Sequence, residues 1–456
     1  MRALVRSGSR CFSSGARLTV EDYHPSGWLT ESSVWLIVVP MSNDIAIIGG
    51  GIGGLCLAQG LRKAGREVTV YERDRTPGDR VQGYRVHIDP NGARALHDCL
   101  PPELWQAFLA TTGRGGQDFG FLTEQLGLLA LIETPPAADP AGDHHSVSRI
   151  TLRQVLLSGL EDVVHYGKTF ERYERLPDGR IELFFADGST ARADVVIAAD
   201  GGNSRVRAQY LPHARRVDTG ITTVAGKFPL TDETRRLIAP RLSDGPNSII
   251  PPKGMGMFVA PHDVTGLAPV DGIGVTEQGG ALMDNTSAYI LWAVGAAEGR
   301  FPSDLSGMSG ERLRATVERM IGSWHPDLRR MVSMSDPETV SLLPIRTSIP
   351  IDPWPASTIT LLGDAIHSMT PMRGIGANTA LRDARLLFQA LTGGRETVEA
   401  IAGYEEQMRE YGFAAVRDSL DAARQFVGES LLGRLGFKTF LRTAQRFPRL
   451  KDKAFS

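Results

Sequence analysis

Residues 45–54 read IAIIGGGIGG, a short apolar run that passes directly into a cluster of glycines. The run has no alternation of polar and apolar residues, which is typical of a strand covered on both faces. Gly49 permits a tight turn, Gly51 lets the backbone approach a pyrophosphate, and Gly54 allows close packing of a helix on the strand. With Gly53 in the same loop, the stretch predicts a strand, a turn and a helix that bind a nucleotide.

The residues after this loop continue a nucleotide-binding pattern. Apolar residues recur at helical spacing from Leu55 to Ala64, and Gly65 is placed to end that helix. A second predicted strand, Val68–Tyr71, is followed by Glu72, about 20 residues after the glycines, where a carboxylate can accept a bond from a ribose hydroxyl. This pattern predicts nucleotide binding but does not distinguish NAD from FAD.

A second candidate segment, residues 200–207 (DGGNSRVR), follows the apolar run 194–199 (DVVIAA). Asp200 and Gly201 would end a buried strand, and the polar residues after them predict a turn into a helix. Because Asp-Gly pairs also form ordinary turns, the segment is informative only together with the others.

The third segment, residues 363–383 (GDAIHSMTPMRGIGANTALRD), follows a predicted strand at 358–362. Asp364 is placed to accept the hydroxyls of a ribityl chain, Pro371 stops the backbone, and a helix opens at 374–378. Free N–H groups at that helix N-terminus would stabilise a reduced, anionic flavin and an oxygen adduct. The alternative is a helix start with only a packing role. The candidate cofactor-binding residues here are Gly363, Asp364, Pro371, Gly374, Gly376, Ala377 and Asn378.

Composition places the chain among ordinary globular proteins. Its 456 residues are 42% apolar and 22% charged, and the formal net charge of −2 gives no global attraction to nucleic acid or to anionic membranes. The three cysteines, Cys11, Cys56 and Cys99, have no metal-ligand spacing, so we expect neither a metal site nor a disulfide framework. His262 and His367 likewise lack a metal-ligand partner at useful spacing.

Residues 1–40 differ from the rest, because the first 17 are rich in arginine and serine and contain no acidic residue. We expect an upstream extension without fold, and a cytoplasmic protein. Mitochondrial import is the alternative if residues 1–20 are a transit peptide. The apolar stretch 34–39 is too short to cross a bilayer, and no integral membrane span is predicted.

The remaining chain divides by pattern. Short alternating runs separated by Gly and Pro predict an antiparallel sheet between about 212 and 343. A Pro- and Ala-rich stretch predicts a surface excursion at 121–144. The predicted segments are a nucleotide-binding domain at 41–120, 145–211 and 344–395, the substrate sheet at 212–343, and C-terminal helices at 396–456. In the tail, Arg434, Lys438, Arg442 and Arg446 recur every four residues. They predict either a solvated charged face over a packed apolar one, which we favour, or a helix that touches a membrane surface.

At the three glycine-containing segments the chain resembles the single-component flavoprotein aromatic hydroxylases of the para-hydroxybenzoate hydroxylase group. Within that group it is most similar to the tetracycline-inactivating flavin monooxygenases. The resemblance runs from about residue 44 to 419 and includes 70–73 (VYER), 148–153 (SRITLR) and 404–408 (YEEQM). It weakens through about 212–340. It implies an α/β fold, with a Rossmann-like FAD-binding domain, an antiparallel substrate sheet and C-terminal helices.

The resemblance also implies residue roles. Glu72 and Arg73 would hold the adenosine end of FAD. Arg149 would contact the cofactor, with Arg153 one turn further along the same helix face. Arg85 matches an arginine near the mobile flavin of the hydroxybenzoate enzymes, although the tetracycline-type pattern lacks it, and a surface salt bridge is its alternative.

The flavin itself would carry the chemistry, so no catalytic side chain is assigned; Arg85, Pro371 and Gly374 are the nearest candidates. In the resembling families the sheet layer covers the flavin and supplies the substrate pocket. Candidate substrate contacts are Met255, Met257, Phe258 and Trp292, with plain core packing as their alternative.

The predicted function is hydroxylation of an aromatic, phenolic or polyketide-like small molecule, as in secondary metabolism, by non-covalent FAD with NAD(P)H and O2 through a flavin C4a-hydroperoxide. Because no second GxGxxG follows a predicted strand, we expect NAD(P)H to visit transiently. The alternatives are a flavin-dependent reductase or halogenase on the same fold, and a flavoprotein that turns over only to peroxide. Substrate identity, the choice of NADH or NADPH, and oligomeric state stay open.

Overall fold

The structure is a computed structural model that describes residues 17–23, 29–35, 44–77, 79, 85–113, 118–263 and 287–455. It divides into two units, residues 1–43 and 44–456. In the first unit, β1 (Arg17–Tyr23) and β2 (Leu29–Trp35) pair antiparallel. The expectation of an extension without fold is therefore wrong for these two segments. Alternation in the first of them (RLTVEDY) is typical of a strand, and the basic, serine-rich residues before it obscured that signal.

The second unit alternates strands and helices in its first half and ends in helices. Its strands are β3 (Ile45–Ile48), β4 (Val68–Tyr71), β5 (Arg85–Ile88), β6 (Phe119–Thr123), β7 (Leu128–Ile132), β8 (His145–Ser148), β9 (Val164–His165), β10 (Phe170–Arg175), β11 (Ile181–Phe185), β12 (Thr190–Ala193), β13 (Val195–Ala198), β14 (Arg216–Pro229), β15 (Asn247–Ile250), β16 (Met255–His262), β17 (Tyr289–Ala297), β18 (Ser341–Ser348) and β19 (Ile359–Leu361).

Its helices are α1 (Ile52–Lys63), α2 (Pro90–Cys99), α3 (Pro102–Ala110), α4 (Arg149–Leu157), α5 (Arg205–Tyr210), α6 (Asp232–Arg235), α7 (Arg241–Asp244), α8 (Gly310–Met320), α9 (Pro326–Ser333), α10 (Asp364–His367), α11 (Gly376–Thr392), α12 (Thr397–Phe426), α13 (Leu431–Arg446) and α14 (Pro448–Phe455). Short 3-10 turns lie at Pro140–Gly142, Glu298–Arg300, Leu305–Gly307, Pro337–Thr339 and Pro371–Arg373.

A parallel sheet of five strands in the described residues, in the order β19-β13-β3-β4-β9, forms the first layer. Every residue of β3 and of β13 is buried, as their unbroken apolar sequences predict. Helices α1, α4 and α11 pack on this sheet in one continuous core. Because the strands are parallel, the loops after β3, β4, β13 and β19 meet at one edge, which is where ligands bind in folds of this kind.

A second sheet has the order β18-β14-β17-β16-β15-β6-β7 among the described strands. Its strands pair antiparallel except β15 with β6, which are parallel. Strands β6 and β7 occupy part of the predicted surface excursion at 121–144, so that prediction is corrected: the excursion supplies the edge of the sheet. The Pro- and Ala-rich residues on which the prediction of a surface excursion rests come after β7 in the sequence. The predicted α/β architecture with an antiparallel second layer and C-terminal helices is confirmed.

The two faces of the second sheet differ in their surroundings. One face packs against α8 and α9 in a separate core that includes Met255, Met257 and Trp292. The indole Nε1 of Trp292 donates a hydrogen bond to Ser335 Oγ at 2.8 Å within that core. Met255, Met257 and Trp292 are therefore core residues rather than substrate contacts, which corrects three of the four predictions. Phe258 alternates with them along β16 and lies on the opposite face.

Helix α12 is fastened to the first sheet by polar contacts beneath β19. Tyr404 Oη donates to the carbonyl oxygen of Leu361 at 2.9 Å, and Thr360 Oγ1 donates to Glu405 Oε1 at 2.7 Å. Glu405 is buried, and this burial raises the pKa of its carboxyl to about 7. None of the helices in the described part of the chain has the length and apolar character that a membrane span requires.

The Trp292–Ser335 bond allows a test of the core assignment. Trp292→Phe and Ser335→Ala should each lower the free energy of unfolding by about 1–3 kcal/mol. Ser335→Ala leaves the buried indole N–H without its acceptor, whereas Trp292→Phe removes the same bond and part of the buried ring while Ser335 Oγ keeps its bond to the carbonyl oxygen of Met331. Urea titration of the two single variants and the double variant should show coupling, with the double variant losing less than the sum. Additive losses, or an unchanged stability for Trp292→Phe, would contradict a buried bond at this position.

Glu405 predicts a specific pH dependence of stability. Since its pKa is raised from 4.5 to about 7 in the folded state, the folded protein binds more protons than the unfolded chain between these pH values. Its contribution to stability therefore falls as pH rises through this window, by on the order of 3 kcal/mol in total. Glu405→Gln should remove this fall, so unfolding measured from pH 4 to pH 8 should give a flatter profile than wild type. Parallel profiles for the two proteins would be evidence against this burial.

Candidate active site

A cleft of about 540 Å³ lies at the carboxyl edge of the parallel sheet. It is lined by residues from all three glycine-containing segments and from α4. The predicted cofactor-binding residues that line it are Gly49, Gly51, Glu72, Arg73, Arg149, Arg153, Asp200, Gly201 and Asp364. Segments far apart in sequence therefore meet where parallel strands end.

The glycines of the first loop have two different tasks. Gly49 has φ +112°, and a Cβ there would lie 2.3 Å from the carbonyl oxygen of Ala199. Cβ atoms at Gly53 and Gly54 would collide with Leu362 and with the carbonyl oxygen of Gly49. At Gly51, by contrast, no atom of the protein lies within 4 Å of the Cβ position. The open space at Gly51 is thus available to a ligand, while Gly49, Gly53 and Gly54 serve packing.

Glu72 is fixed at the end of β4 by backbone donors. Its Oε2 accepts the N–H of Gly50 at 2.7 Å, and its Oε1 accepts the N–H of Asp74 at 3.0 Å. Arg153 Nε donates to the carbonyl oxygen of Gly50 at 3.1 Å, while its buried Nη2 has no partner. Arg73 and Arg149 are exposed at the cleft. This end offers carboxylate oxygens and guanidinium donors to the ribose and phosphates of a nucleotide.

The second segment ends β13 and opens α5, as its sequence predicts. Asp200 Oδ2 accepts the N–H of Arg205 at 2.8 Å, and its buried Oδ1 has no partner. Burial raises the pKa of this carboxyl. Nearby, burial lowers the pKa of Arg216 while Asp364 acts to raise it, and Arg216 Nε is also buried without a partner. Since buried polar atoms are normally hydrogen-bonded, these unpaired atoms fit a polar ligand lying along the cleft.

The third segment is organised around a buried carboxylate that the sequence analysis missed. Asp383 Oδ2 accepts the backbone N–H of Gly363 at 2.7 Å and contacts His367 Nε2 at 2.6 Å, and its Oδ1 accepts from Tyr411 Oη at 2.5 Å. Burial alone would lower the pKa of His367, but Asp383 raises it, and the net direction is upward. The available signal was a charged residue on the buried face of an amphipathic helix.

Helix α11 begins just beyond the cleft lining. Gly374 adopts a left-handed conformation with φ +65°, and the first turn from Gly376 through Ala377 has no acidic residue and no side-chain cap. Its N–H groups are therefore available to a ligand. Asn378 is different, because its Oδ1 accepts the N–H of Asp89 and its Nδ2 donates to the carbonyl oxygen of His87. Its side chain ties α11 to β5, so any contact of Asn378 with the cofactor would have to come from its backbone N–H.

Arg85 lies on β5 between the two layers. Its Nε donates to Ser146 Oγ at 2.7 Å, and burial lowers its pKa to about 10. The carboxylates in the described chain form no ion pair with it, so the surface salt bridge considered for Arg85 is not found there. His262 lies close by, with 1% of its surface exposed; burial, Arg85 and Lys227 together lower its pKa to about 4. The result is a neutral histidine beside a cation at the end of β16.

The sheet face opposite α8 and α9 carries a half-buried stripe, which we call the open face. It consists of Phe119, Ser248, Phe258, Leu291 and Ala293. Ser248 and Ala293 lie directly opposite Phe258 on the two neighbouring strands. The Phe258 ring stacks on that of Phe119 with centroids 6.4 Å apart. A flat apolar surface with small neighbours is thus accessible on the side of the sheet that holds Tyr289 and His262.

Two family models match the chain. The model of an NAD(P)-binding Rossmann-like domain matches residues 47–111, and that of an FAD binding domain matches residues 309–419. A solved structure of a proposed FAD-containing monooxygenase from Photorhabdus luminescens is 40% identical, with a TM-score of 0.76, and covers 85% of this chain and 99% of that one. The 3-amino-4-hydroxybenzoate 2-monooxygenase of Streptomyces cremeus is 30% identical over 76% of this chain and 78% of its own length.

The chain belongs to the FAD-dependent monooxygenases. The predicted family and its FAD cofactor are thereby confirmed. A tetracycline destructase, Tet(55), is among the similar structures at 17% identity and a TM-score of 0.61, which shows the shared fold alone. The dual O-methyltransferase/FAD-dependent monooxygenase CTB3 of Cercospora beticola is 31% identical over 81% of this chain but only 44% of its own length. The chain therefore spans about half the length of this curated relative.

The space at Gly51 gives a sharp test of where FAD lies. Its backbone, with φ −78° and ψ 177°, accepts alanine without strain, and the added Cβ meets no protein atom. Gly51→Ala should therefore fold normally but raise the Kd for FAD at least about tenfold, because the methyl group occupies the space of the pyrophosphate. Titration of the apoprotein with FAD, followed by flavin fluorescence, measures the change.

Gly54→Ala is the matched control for this variant. Its Cβ would lie 2.3 Å from the carbonyl oxygen of Gly49, so the loss should appear as poor folding rather than as weak binding by folded protein. Wild-type affinity for FAD in Gly51→Ala would place the pyrophosphate elsewhere.

Proposed function

We propose that the chain is an FAD-dependent monooxygenase that uses NAD(P)H and O2 to hydroxylate an electron-rich aromatic, phenolic or polyketide-like small molecule. The observation that carries this proposal is a cleft at the ends of four parallel strands, lined by Arg153, Asp200 and Arg216, each with a buried polar atom that has no partner. The third glycine-containing segment, which contributes Asp364 to this cleft, also contains the uncapped N-terminus of α11. A cofactor extended along this cleft would reach α11 at one end and the second sheet beyond it.

The residues of the cleft divide the binding of FAD between them. Glu72, held by two backbone donors, presents its remaining lone pairs to a ribose, and Gly51 leaves room for the pyrophosphate. Asp364 and Arg216 also line the cleft, and we assign them to the ribityl chain. Bound FAD supplies hydride acceptance and, once reduced, the activation of O2 for oxygen transfer.

Helix α11 supplies the electrostatic contribution of the protein. Its uncapped N–H groups and positive end, starting at Gly376, would stabilise negative charge that develops on a bound, reduced flavin. Asp383 fixes the strand end at Gly363, and the Asn378 side chain fixes the first turn of α11 to β5. The donors are therefore held in place before the ligand arrives, so the protein does not have to reorganise when the charge develops.

We propose that the substrate lies against the open face. Phe258 offers an aromatic ring to stack on, and Ala293 and Ser248 opposite it leave space for a planar molecule. Arg85, which has no carboxylate partner in the described chain, favours a substrate carrying a phenolate or another anionic group. A substrate lying there would be covered on one side by the second sheet, and this cover would help to keep water from the reacting atoms.

NAD(P)H is proposed as a transient reductant, because the sequence contains one strand-linked GxGxxG loop and the FAD cleft uses it. We also propose a reducing, cytoplasmic location, which the free thiols of the buried Cys56 and Cys99 support.

Isotope labelling tests the reaction class directly. Protein loaded with FAD should oxidise NADH or NADPH faster in the presence of the right aromatic or polycyclic compound, and under 18O2 the product should gain one labelled oxygen atom. Mass spectrometry of the product and a peroxide assay of the same reaction show how much of the oxidised NAD(P)H leads to oxygen transfer and how much to peroxide. A modified product without the label would indicate a reductase, and peroxide in full yield with an unchanged ligand would indicate a flavoprotein that only binds. Gly51→Ala is the control for cofactor-dependent turnover.

A further inference from the structure

Exposed apolar side chains concentrate at the C-terminal end of the described chain. Six of the eleven large apolar residues exposed among the described residues lie between 431 and 450, and the other five are scattered. These six are Leu431, Leu432, Leu435, Phe440, Phe447 and Leu450. We call these six residues, together with the exposed Arg442, Arg446 and Arg449, the α13–α14 surface. Concentrated exposure of this kind marks an interaction site more often than isolated exposed leucines do.

Helix α13 is held to the body of the protein by its opposite side. Leu441 and Ala444 are fully buried, and Leu441 packs with Phe437 against β7. Arg434 is only 6% exposed, and its Nη2 donates to the carbonyl oxygen of Met255 at 3.0 Å. Lys438 Nζ pairs with Glu124 at 3.3 Å. These contacts fix the rotation of α13 about its axis, so the exposure of its outer side is a property of the fold.

The outer side of α13 is apolar and basic at once. Leu432 is 82% exposed and Leu435 is 59% exposed, and both lie toward the start of the helix. Arg442, Arg446 and Arg449 follow on the exposed side, and none of them has an ion pair in the part of the chain that the structure describes. The prediction of a solvated charged face is therefore wrong for Arg434 and Lys438, which contact the body of the protein, and exposed leucines lie beside Arg442 and Arg446 instead.

We propose that the α13–α14 surface binds anionic lipid headgroups at a membrane surface, with α13 lying in the plane of the interface. A helix with exposed leucines and phenylalanines beside unpaired arginines has the composition of an interfacial helix. The 16 residues of α13 extend about 24 Å, and one side of them already faces solvent. Leucines would enter the region between headgroups and acyl chains, while the arginines would meet phosphate groups.

The charge of the α13–α14 surface favours an anionic lipid surface over a second copy of the chain as its partner. A symmetric dimer through the α13–α14 surface would bring Arg442, Arg446 and Arg449 of one copy close to the same residues of the other, and none of these arginines has an ion pair among the described residues. The acids that contact these helices, Glu124 and Glu133, are already paired with Lys438 and Lys451. An anionic lipid surface supplies the missing negative charge and accepts the leucines in the same encounter.

Vesicle flotation with the FAD-loaded full chain tests the proposal. Wild-type protein should float with phosphatidylcholine vesicles that contain phosphatidylglycerol, bind far less to pure phosphatidylcholine, and be released as salt rises. Leu432→Asp with Leu435→Asp should weaken binding at least about tenfold, and Arg442→Glu with Arg446→Glu should do the same, since each removes one of the two attractions. These residues are exposed, so Tm and flavin absorbance should match wild type and report that each variant is folded.

A matched control makes the same kinds of substitution, arginine to glutamate and leucine to aspartate, at another exposed site. Arg236→Glu with Leu237→Asp changes an exposed arginine and an exposed leucine next to α6 and should leave flotation unchanged. Wild-type protein that binds neither type of vesicle would overturn the proposal. So would binding that survives both variants of α13, or a stable dimer that the leucine variant converts to monomer.

Discussion

The carboxylate of Asp383 is the constraint on which the candidate active site depends. It lies fully buried and holds three groups from different parts of the chain: the backbone of Gly363 at the end of β19, His367 on α10, and Tyr411 on α12. A buried charge is costly unless it is paired and hydrogen-bonded, and three partners at 2.5–2.7 Å meet that condition. Asp383 also belongs to α11, whose N-terminus has no side-chain cap and is the end that we propose faces the flavin. The Asp383 side chain thereby fixes the end of β19, helix α10 and helix α12 relative to α11.

Close packing around Gly53 of α1 completes that arrangement. Any side chain at Gly53 would meet Leu362 and Ala380, so α1 approaches both β19 and α11 more closely than another residue would allow. The loops after β3 and β19 are thus held at a fixed separation by contacts that involve no charged group. The polar atoms left unpaired in the cleft are then those that a dinucleotide would meet.

Local sequence signals predict the parts of this site in which neighbours along the chain determine the structure. The strands Ile45–Ile48 and Val68–Tyr71, the glycine turn and the helix beginning near Gly374 follow from runs of apolar residues and glycine spacing. Alternation along β16 likewise predicts a strand, but it does not tell which side meets α8 and α9, because that depends on helices some 50 residues later. The alternation therefore leaves Met257 open as a substrate contact or a core residue, and the structure places it in the core with α8 and α9. The hydrogen-bond partners of Asp383 could not be predicted from local sequence for the same reason, since Tyr411 lies on α12.

The same strand links the two surfaces for which we propose functions. Strand β16 carries Phe258 on the open face. The carbonyl oxygen of Met255 on the same strand accepts a hydrogen bond from the buried Arg434 guanidinium of α13. Phe426, at the end of α12, covers Gly256 and Gly295, where a Cβ would approach its ring to within 3 Å. The chain between α12 and α13 is therefore seated directly on the strands beside the proposed substrate position. A membrane that orients α13 would orient this sheet with it, so substrates held at the interface would reach the open face from a fixed direction.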